Sequence, residues 1–291
     1  DNIANSKPEG IFFFTVSISI GIYNYDNVKV TDCVISDTVA TGYLLACDHD
    51  SASNVYWNNI TITDITSTND FSEGFHLSGS LAFIVGACLN LPYPIVSDYN
   101  ATLENITVQN VTGYLHSAGI TLAYVNGCVM RDCTVNGINS YGEDAGFYFV
   151  GDDPTPINGS LPFDDKYGRT RFCRIKNCIA KNVGTFEKNL DLGIQKIAAG
   201  FYITYFCNDL TFENCIAAGN CKSITNTLGG GFFVHYVLYP FSDTGNSSIF
   251  NINFIECDAN NNGTIFESFL NHAGMLVYDE FFKSNPYKTL S

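Results

Sequence analysis

Paired carboxylates are the groups in this chain whose types and spacing could do chemistry. Asp152 and Asp153 stand side by side, and Asp164 and Asp165 follow in the same stretch. Two carboxyl groups that flank a sugar–sugar bond can hydrolyse it, one as an acid and the other as a base or nucleophile. Carboxylate oxygens are also the ligands that Ca²⁺ prefers. We expect a solvated acidic loop here, with a weak calcium site at these four aspartates as the alternative.

The cysteines come in pairs that look like metal ligands. Cys128 and Cys133 are five residues apart, and so are Cys173 and Cys178. Zinc sites with this spacing hold both cysteines in one short loop, whereas we expect the members of each pair here to lie on different strands, so we expect no metal site at them. Seven cysteines occupy apolar columns of the repeat described below, where cysteine acts as a small buried hydrophobe; they are Cys33, Cys128, Cys133, Cys173, Cys178, Cys215 and Cys257. The other four are the better candidates for a disulfide or an inter-subunit bond: Cys47, Cys88, Cys207 and Cys221.

Composition limits the class of protein. The 291 residues include 14 basic and 29 acidic side chains, for a net charge of −15. This balance argues against nucleic acid and anionic membrane surfaces as partners. No apolar run reaches the length of a membrane span, and no phosphate-binding loop or other cofactor motif is recognisable, so we expect no cofactor. The start lacks a basic leader, so either a leader has been removed or the chain continues upstream.

Two short patterns alternate along the chain and define a repeat. One contains CRIKNCIA and LTFENCIA, and the other begins with glycine, as in GFYF, GFYI and GFFV. Apolar residues recur at every second position, which is typical of strands with one buried face. A bend residue divides the first pattern, and we expect it to adopt the left-handed conformation that Asn and Asp tolerate. These residues are Asp32, Asn59, Asn105, Asp132, Asn177, Asn214 and Glu256, with a different bend expected at Glu256.

Three short strands per repeat without hairpin turn signals predict an all-β fold. The economical arrangement is a right-handed parallel β-helix, a solenoid of about seven to eight coils with three short strands each and variable loops. We predict one β-helix domain over 1–291, with 1–26 as an incomplete first coil and 279–291 as a C-terminal tail. The first coil shows no capping helix, so its edge needs a cover.

The irregular coil spacing resembles that of pectate-lyase-like β-helix proteins. The NCIA and AGF cadence is also similar to that of uncharacterised bacterial β-helix repeat proteins on cell surfaces. The resemblance covers nearly the whole chain and implies the fold, together with a groove outside the glycine-pattern strand where enzymes of this fold place their chemistry. Asp152-Asp153 and Arg174-Ile175-Lys176 look like fragments of the polygalacturonase pattern, but its Asn-Thr-Asp and Gly-His-Gly elements are absent. We therefore interpret Arg174 and Lys176 as solvent-facing residues of a coil.

The outward positions of the glycine-pattern strand carry aromatic rings rather than carboxylates. Alternation assigns no acidic residue to this face and leaves Glu143 and Asp144 in a loop. Tyr148, Tyr202 and Phe233 fall on consecutive coils and predict an exposed stripe, which a ligand, a partner or the protein's own loops would cover. The further candidates for ligand or partner contact are His76, His235, Phe12 and Phe14.

Asn-x-Ser/Thr sequences occur slightly more often than chance predicts. Those outside the expected bend column give weak candidates for glycosylation: Asn100, Asn110, Asn158, Asn246 and Asn262.

Three functions remain after these observations. The first is a non-enzymatic structural or adhesive protein, extracellular or surface-displayed, that forms a homo-oligomer or polymer through its coil ends or the aromatic face. The second is a carbohydrate-active enzyme or a catalytically reduced relative. The third is a glycan-binding fibre like a viral or phage spike. Glycans are the expected small partners, and we expect no catalytic residues and no enzyme activity.

Overall fold

The computed structural model describes residues 12–15, 22–26, 29–31, 34–35, 41–49, 54–67, 71–78, 100–123, 125–151, 170–185, 196–204, 207–222, 227–236, 250–262, 275–279 and 287–288. Every regular element among them is a strand, and the strands form three sheets. Neighbouring strands within each sheet come from successive passes of the chain and pair in parallel, apart from one antiparallel strand at the end of the first sheet.

Sheet A has nine strands and contains the glycine-pattern segments. Its members in order are β1 (Phe12–Thr15), β5 (Thr41–His49), β8 (Phe71–Ser78), β11 (His116–Ala123), β14 (Glu143–Val150), β17 (Lys196–Ile203), β20 (Thr227–Tyr236), β23 (Met275–Asp279) and the antiparallel β24 (Tyr287–Lys288).

Sheets B and C contain the two halves of the other pattern. Sheet B consists of β2 (Ile22–Asp26), β6 (Asn54–Asn58), β9 (Asn100–Glu104), β12 (Asn126–Arg131), β15 (Thr170–Lys176), β18 (Cys207–Glu213) and β21 (Phe250–Ile255). Sheet C consists of β3 (Lys29–Thr31), β4 (Val34–Ile35), β7 (Thr61–Ser67), β10 (Thr107–Thr112), β13 (Thr134–Asn139), β16 (Ile179–Lys181), β19 (Ile216–Ala218) and β22 (Asp258–Asn260).

The order B, C, A repeats along the chain, so each pass forms one coil of a parallel β-helix. Connections between parallel strands of one sheet are right-handed in nearly all proteins, and the helix takes that hand. The predicted fold class is confirmed. Alternate side chains from the three sheets meet in one continuous core, with Trp57, Leu103, Met130, Ile175 and Phe212 all fully buried on successive strands of sheet B.

The corner between sheets B and C is the most regular feature of the coil. Between β6 and β7 and at every later B–C corner, two residues join the strands. The first of these has a positive φ, close to 55°, at Asn59, Asn105, Asp132, Asn177, Asn214 and Glu256. The predicted left-handed bends are confirmed at these six positions. The different bend expected at Glu256 is wrong, since its φ of 52° matches the others.

Side-chain amides link the corners along the helix axis. Asn177 Nδ2 donates to Asp132 Oδ1 at 3.0 Å, and Asn105 Nδ2 donates to Asn58 Oδ1 at 3.2 Å. Because stacked corners lie one strand spacing apart, a short amide can reach the coil before it. The bend residues thus supply both the rare backbone conformation and a bond between coils.

The first complete coil has a different register from the one that we expected. Val30 lies opposite Ile62 in sheet C, while Tyr23 and Tyr25 lie opposite Val55 and Trp57 in sheet B. The bend predicted at Asp32 is therefore wrong as a corner between sheets B and C, because Val30, two residues before it, already lies in sheet C. The sequence offers two overlapping matches to the same pattern here, and the earlier one forms the strands. In sheet A, Leu45 and Cys47, rather than Tyr43 and Leu45, lie opposite Phe75 and Leu77.

The described cysteines behave as core residues. Of the eight whose side chains are described, seven are buried; they are Cys128, Cys133, Cys173, Cys178, Cys207, Cys215 and Cys221, with Cys257 half-buried. Cys207 and Cys221 thus lie in the interior, and a disulfide or an inter-subunit bond at either of them stays a prediction. Cys47 lies in β5, where its side chain is not described, and Cys88 lies outside the described residues.

Four thiols form a ladder immediately after the corner residues of successive coils. Each donates to the carbonyl oxygen two residues before it, at 3.2 Å for Cys133 to Arg131 and 3.3 Å for Cys178 to Lys176, with Cys215 and Cys257 in the same arrangement. Burial and contacts with the Cys133 and Cys215 thiols raise the pKa of Cys178. Each thiol therefore adds a second, weak hydrogen bond to a corner carbonyl that already accepts a backbone N–H from the coil before it. Ile60 and Ile106, at the same place in earlier coils, have no such donor.

Candidate functional site

The outer face of sheet A does not follow simple alternation. The strand pairings skip one residue on each strand, at Gly74, Gly119, Gly146, Gly200 and Gly231. A β-carbon at Gly119 would lie 2.3 Å from Val135 Cγ1, so this glycine faces the core just as Ile120 after it does. Because the glycine and the residue after it both face inward, every residue before the glycine faces the side opposite to the one that simple alternation predicts.

This exchange brings a carboxylate and a histidine to the outer face. Glu143 and His116 precede their glycines, and Glu143 Oε2 lies 3.5 Å from His116 Nδ1. The His116 ring in turn lies 5.2 Å from the ring of Tyr148, which follows the glycine of its own strand. The expectation that this face has no carboxylate, with Glu143 and Asp144 in a loop, is wrong. Both acids lie in β14, and Asp144 is fully buried.

The rings of the predicted stripe stack along the helix axis. Tyr148 and Tyr202 are 5.4 Å apart between centroids, and Tyr202 and Phe233 are 5.2 Å apart. His235 joins the stack, with its ring 5.4 Å from Phe233 and its Nδ1 2.7 Å from the Tyr202 hydroxyl. Ala118, Ala145, Ile197 and Ala199 pack against these rings. The sequence thus located the aromatic column correctly.

The predicted exposure of the column is wrong for its deeper members. Tyr202, Phe233 and His235 are 2%, 0% and 5% exposed, while Tyr148 is half-buried. Aromatic rings of this size stabilise most when they are removed from water, and here the rings pack on one another and on alanines. The Glu143 side chain, 39% exposed, and the edge of Tyr148 are therefore the accessible parts of this cluster.

The electrostatics of the cluster depend on its two histidines. Burial raises the pKa of Glu143, but the hydrogen bond and charge of His116, joined by the charge of His235, outweigh burial and hold that pKa below its ordinary value. Glu143 is therefore a carboxylate at neutral pH, able to accept hydrogen bonds or to attract a cation. We refer to His116, Glu143, Tyr148, Tyr202, Phe233 and His235 as the sheet-A cluster.

The remaining site candidates are only partly described. Phe12 and Phe14 pair with Ala46 and Asp48, and His76 pairs with Thr121, in sheet A, but the side chains of Phe12, Phe14 and His76 are not described. The four calcium candidates Asp152, Asp153, Asp164 and Asp165 lie outside the described residues.

Arg174 and Lys176 lie on sheet B, away from the sheet-A cluster. Ile175 between them is fully buried, as expected. Arg174 Nη2 and Lys176 Nζ contact Glu213 at 2.5 and 3.0 Å, and together they lower the pKa of that carboxyl, chiefly through the hydrogen bond from Arg174. This basic triplet forms a surface ion-pair network between two coils.

Two of the glycosylation candidates already use their side-chain amides. Asn110 Nδ2 donates to Asp64 Oδ1 at 2.8 Å, and Asn262 Nδ2 donates to Ala217 O at 2.9 Å. A glycan on either nitrogen would leave a single amide hydrogen, and the sugar would have to fit beside the bond to the previous coil. Asn100 begins β9, and Asn158 and Asn246 lie outside the described residues.

Among the residues that the structure describes, no group of three or more His, Cys, Asp and Glu side chains is arranged to hold a metal ion. The described part of the chain also contains no helix with the length and apolar character needed to cross a membrane.

Comparison with known proteins adds little to this picture. No protein-family model matches the chain, and no curated protein matches it. Among solved structures, the crystal structure of pectate lyase Pel9A is similar over 84% of this chain and 77% of its own, with 9% identity and a TM-score of 0.27. Similarity at this level indicates nothing about function, and the β-helix assignment rests on the three parallel sheets.

Proposed function

We propose that this chain is a non-enzymatic structural protein, displayed outside the cell or on a surface, that assembles end to end through its coils. The observation that supports this proposal is the last described pass of sheets B and C. Its inward residues Ile252, Phe254, Cys257 and Ala259 are only half-buried, although the equivalent residues one coil earlier are fully buried. Strands β21 and β22 also end their sheets among the described residues.

A second copy suits this edge because a parallel β-helix is a directional stack. Strands β2 and β3 end sheets B and C on the other side and run in the same direction as β21 and β22. Head-to-tail contact would therefore continue both sheets and cover the half-buried ring of Phe254, which already stacks 5.0 Å from Phe212. Contacts of this heterologous kind produce open filaments rather than closed dimers.

The test compares two lysine substitutions on the same strand. Ala259→Lys places a charge on the inward, half-buried side of β22, whereas Asn260→Lys places it on the exposed side. Light scattering after size exclusion, together with negative-stain microscopy, should show rods for the unmodified chain and Asn260→Lys, and their loss in Ala259→Lys. A monomer at every concentration of the unmodified chain would contradict the proposal.

Burial of the thiols is compatible with an extracellular location. Unpaired cysteines are unusual in secreted proteins because they oxidise. Burial raises the pKa of Cys173 to about 12, which keeps it a thiol and protects it from oxidants at neutral pH.

Saccharide binding at the sheet-A cluster is the second candidate. It is favoured by the half-buried Tyr148 ring next to the partly exposed Glu143 carboxylate, which pair an apolar face with a hydrogen-bond acceptor. The net charge of −15 favours a neutral sugar over an acidic one. Tyr148→Ala and Glu143→Gln should each abolish binding of neutral oligosaccharides on a glycan array. Release of new reducing ends that Glu143→Gln prevents would instead indicate an enzyme.

A further inference from the structure

Phe172 adopts a backbone conformation that is unfavourable for its residue type. Its φ is 53°, and the residues at the same place on the neighbouring strands are Gly127, Asp209 and Asn251, all with positive φ. Gly, Asn and Asp tolerate this conformation, but a bulky side chain there costs on the order of 1–2 kcal/mol. Four successive strands of sheet B, from β12 to β21, adopt this conformation, and only β15 uses a bulky side chain for it.

The Phe172 ring contributes little to the core. The residue is 58% exposed, the largest exposed fraction among the large apolar residues that the structure describes. Exposure and strain at one residue both weaken folding, so their combination indicates a role outside the monomer.

The surroundings of this ring are basic and apolar. The Arg171 guanidinium lies 5.2 Å from the ring centroid, in the range of a cation–π contact. Arg174, two residues further along β15, has a side chain that is 60% exposed and shares the Glu213 carboxylate with Lys176, so these three groups keep one net positive charge. Val129 lies directly opposite Arg174 and is 42% exposed. We refer to Val129, Arg171, Phe172 and Arg174 as the Phe172 patch.

The patch has the opposite charge to the molecule that carries it. Acidic side chains outnumber basic ones by 29 to 14, so the surface of another copy is predominantly acidic. A complementary surface lies on the last described coil, where Ile255 is 47% exposed and Glu256 and Asp258 next to it are also exposed. An apolar side chain next to two carboxylates complements an aromatic ring in contact with the Arg171 guanidinium, beside a group of side chains that keeps one net positive charge.

We propose that the Phe172 patch is a lateral contact between copies of this chain, binding the Ile255, Glu256 and Asp258 surface of a second copy. This inference rests on the proposed self-assembly and adds a side-by-side contact to the end-to-end one. Because the two surfaces differ, the contact is heterologous. The two surfaces also lie on different coils, so neighbouring rods would be shifted along their axes relative to one another.

The decisive variant is Phe172→Asn, which removes the ring and installs a residue suited to the left-handed conformation. We expect a melting temperature a few degrees higher than that of the unmodified chain, together with lateral association that is at least tenfold weaker in sedimentation velocity. Tyr56→Asn is the matched control, since Tyr56 is 41% exposed on the same sheet with an ordinary φ. That variant should gain no stability and should associate normally.

Charge reversal tests the partner surface. Arg171→Glu should weaken lateral association, and adding Asp258→Arg should restore part of it, while high salt should weaken the unmodified contact. Unchanged association in Phe172→Asn, or association that is insensitive to salt, would overturn the proposal. Saturable binding of dextran sulfate to the patch without any lateral association would also overturn it, in favour of a polyanion partner.

The two contacts can fail separately. Phe172→Asn should leave single rods that no longer bundle, whereas Ala259→Lys should leave salt-sensitive lateral dimers without rods. Lateral dimers in an unmodified chain that never forms rods would therefore contradict only the end-to-end proposal.

Discussion

At the scale of single residues, the corner amides are the clearest case of one side chain with two structural tasks. Asn177 adopts a φ of 52° and bonds Asp132 on the coil before it. Alanine would retain neither advantage. We expect Asn177→Ala to lower the free energy of unfolding by about 2 kcal/mol. Asn177→Gly keeps the backbone freedom and should cost about half as much in urea titration. If both variants lost the same free energy of unfolding, the backbone conformation and the side-chain hydrogen bond would not contribute separately.

A pH prediction belongs to Glu143. Its folded-state pKa lies below the ordinary value, so its contribution to stability is present above the unfolded pKa and is lost as the pH falls through the folded one. We expect melting temperatures of the unmodified chain to decline from about pH 5 downward, and Glu143→Gln to show a shallower decline. Because the side chain is partly exposed, the difference should be small. Identical acid profiles would indicate that His116 does not stabilise the carboxylate.

Native thiol reactivity gives a third prediction at this scale. Cys128, Cys133, Cys173 and Cys178 are buried, whereas Cys257 is half-buried in the last described coil. Iodoacetamide at pH 8 should label Cys257 first, although slowly because its contact with the Cys215 thiol raises its pKa, and should reach the other four only after denaturation, as followed by peptide mass spectrometry. Rapid native labelling of Cys173 would contradict its burial.

At the scale of elements, the glycine of each sheet-A strand determines which residues face outward. In Gly119→Ala the new β-carbon would meet Val135 Cγ1 at 2.3 Å and Gly146 O at 2.7 Å. We expect a loss of about 3 kcal/mol in chemical denaturation, since the opposing backbone cannot move away easily. Adding Val135→Ala should make the double variant less destabilised than the sum of the single ones, although the Gly146 carbonyl remains. If the free-energy losses of the two single variants simply added in the double variant, the β-carbon at position 119 and the Val135 side chain would not be in contact.

The same glycine explains how far the sequence alone could go. Period-two alternation located the strands, the bend column and the stacked rings of Tyr148, Tyr202 and Phe233. It missed Glu143 and His116 because simple alternation does not allow for two successive residues that both face inward, as Gly119 and Ile120 do. The recurring glycine was the available signal, since a strand interior gains nothing from glycine unless backbones approach closely. The burial of Tyr202 could not be predicted either, because alternation shows on which face of the sheet a side chain lies but not whether other residues cover that face.

At the scale of the whole molecule, stability should be graded along the helix axis. Solenoid coils contact only their neighbours, so a coil with one neighbour is the first to open. We expect amide exchange to be slowest in β12, β13 and β15 and fastest in β22, where even inward Ala259 is half-buried. If copies stack as proposed, protection of β22 should increase with protein concentration while the middle strands stay unchanged. Protection in β22 that does not depend on concentration would contradict the stacking.

The two-residue B–C corner has a consequence for how the chain can be lengthened. The link from sheet C to sheet A varies from three residues, after β7, to 14, after β16, while the B–C link never varies. One flank of the rod therefore has a fixed outline from coil to coil, and length variation is confined to the other two connections. A peptide tag or binding epitope inserted at those connections should be tolerated and displayed. The same insertion after Asn177 would separate two stacked corners and interrupt the winding of every coil beyond it.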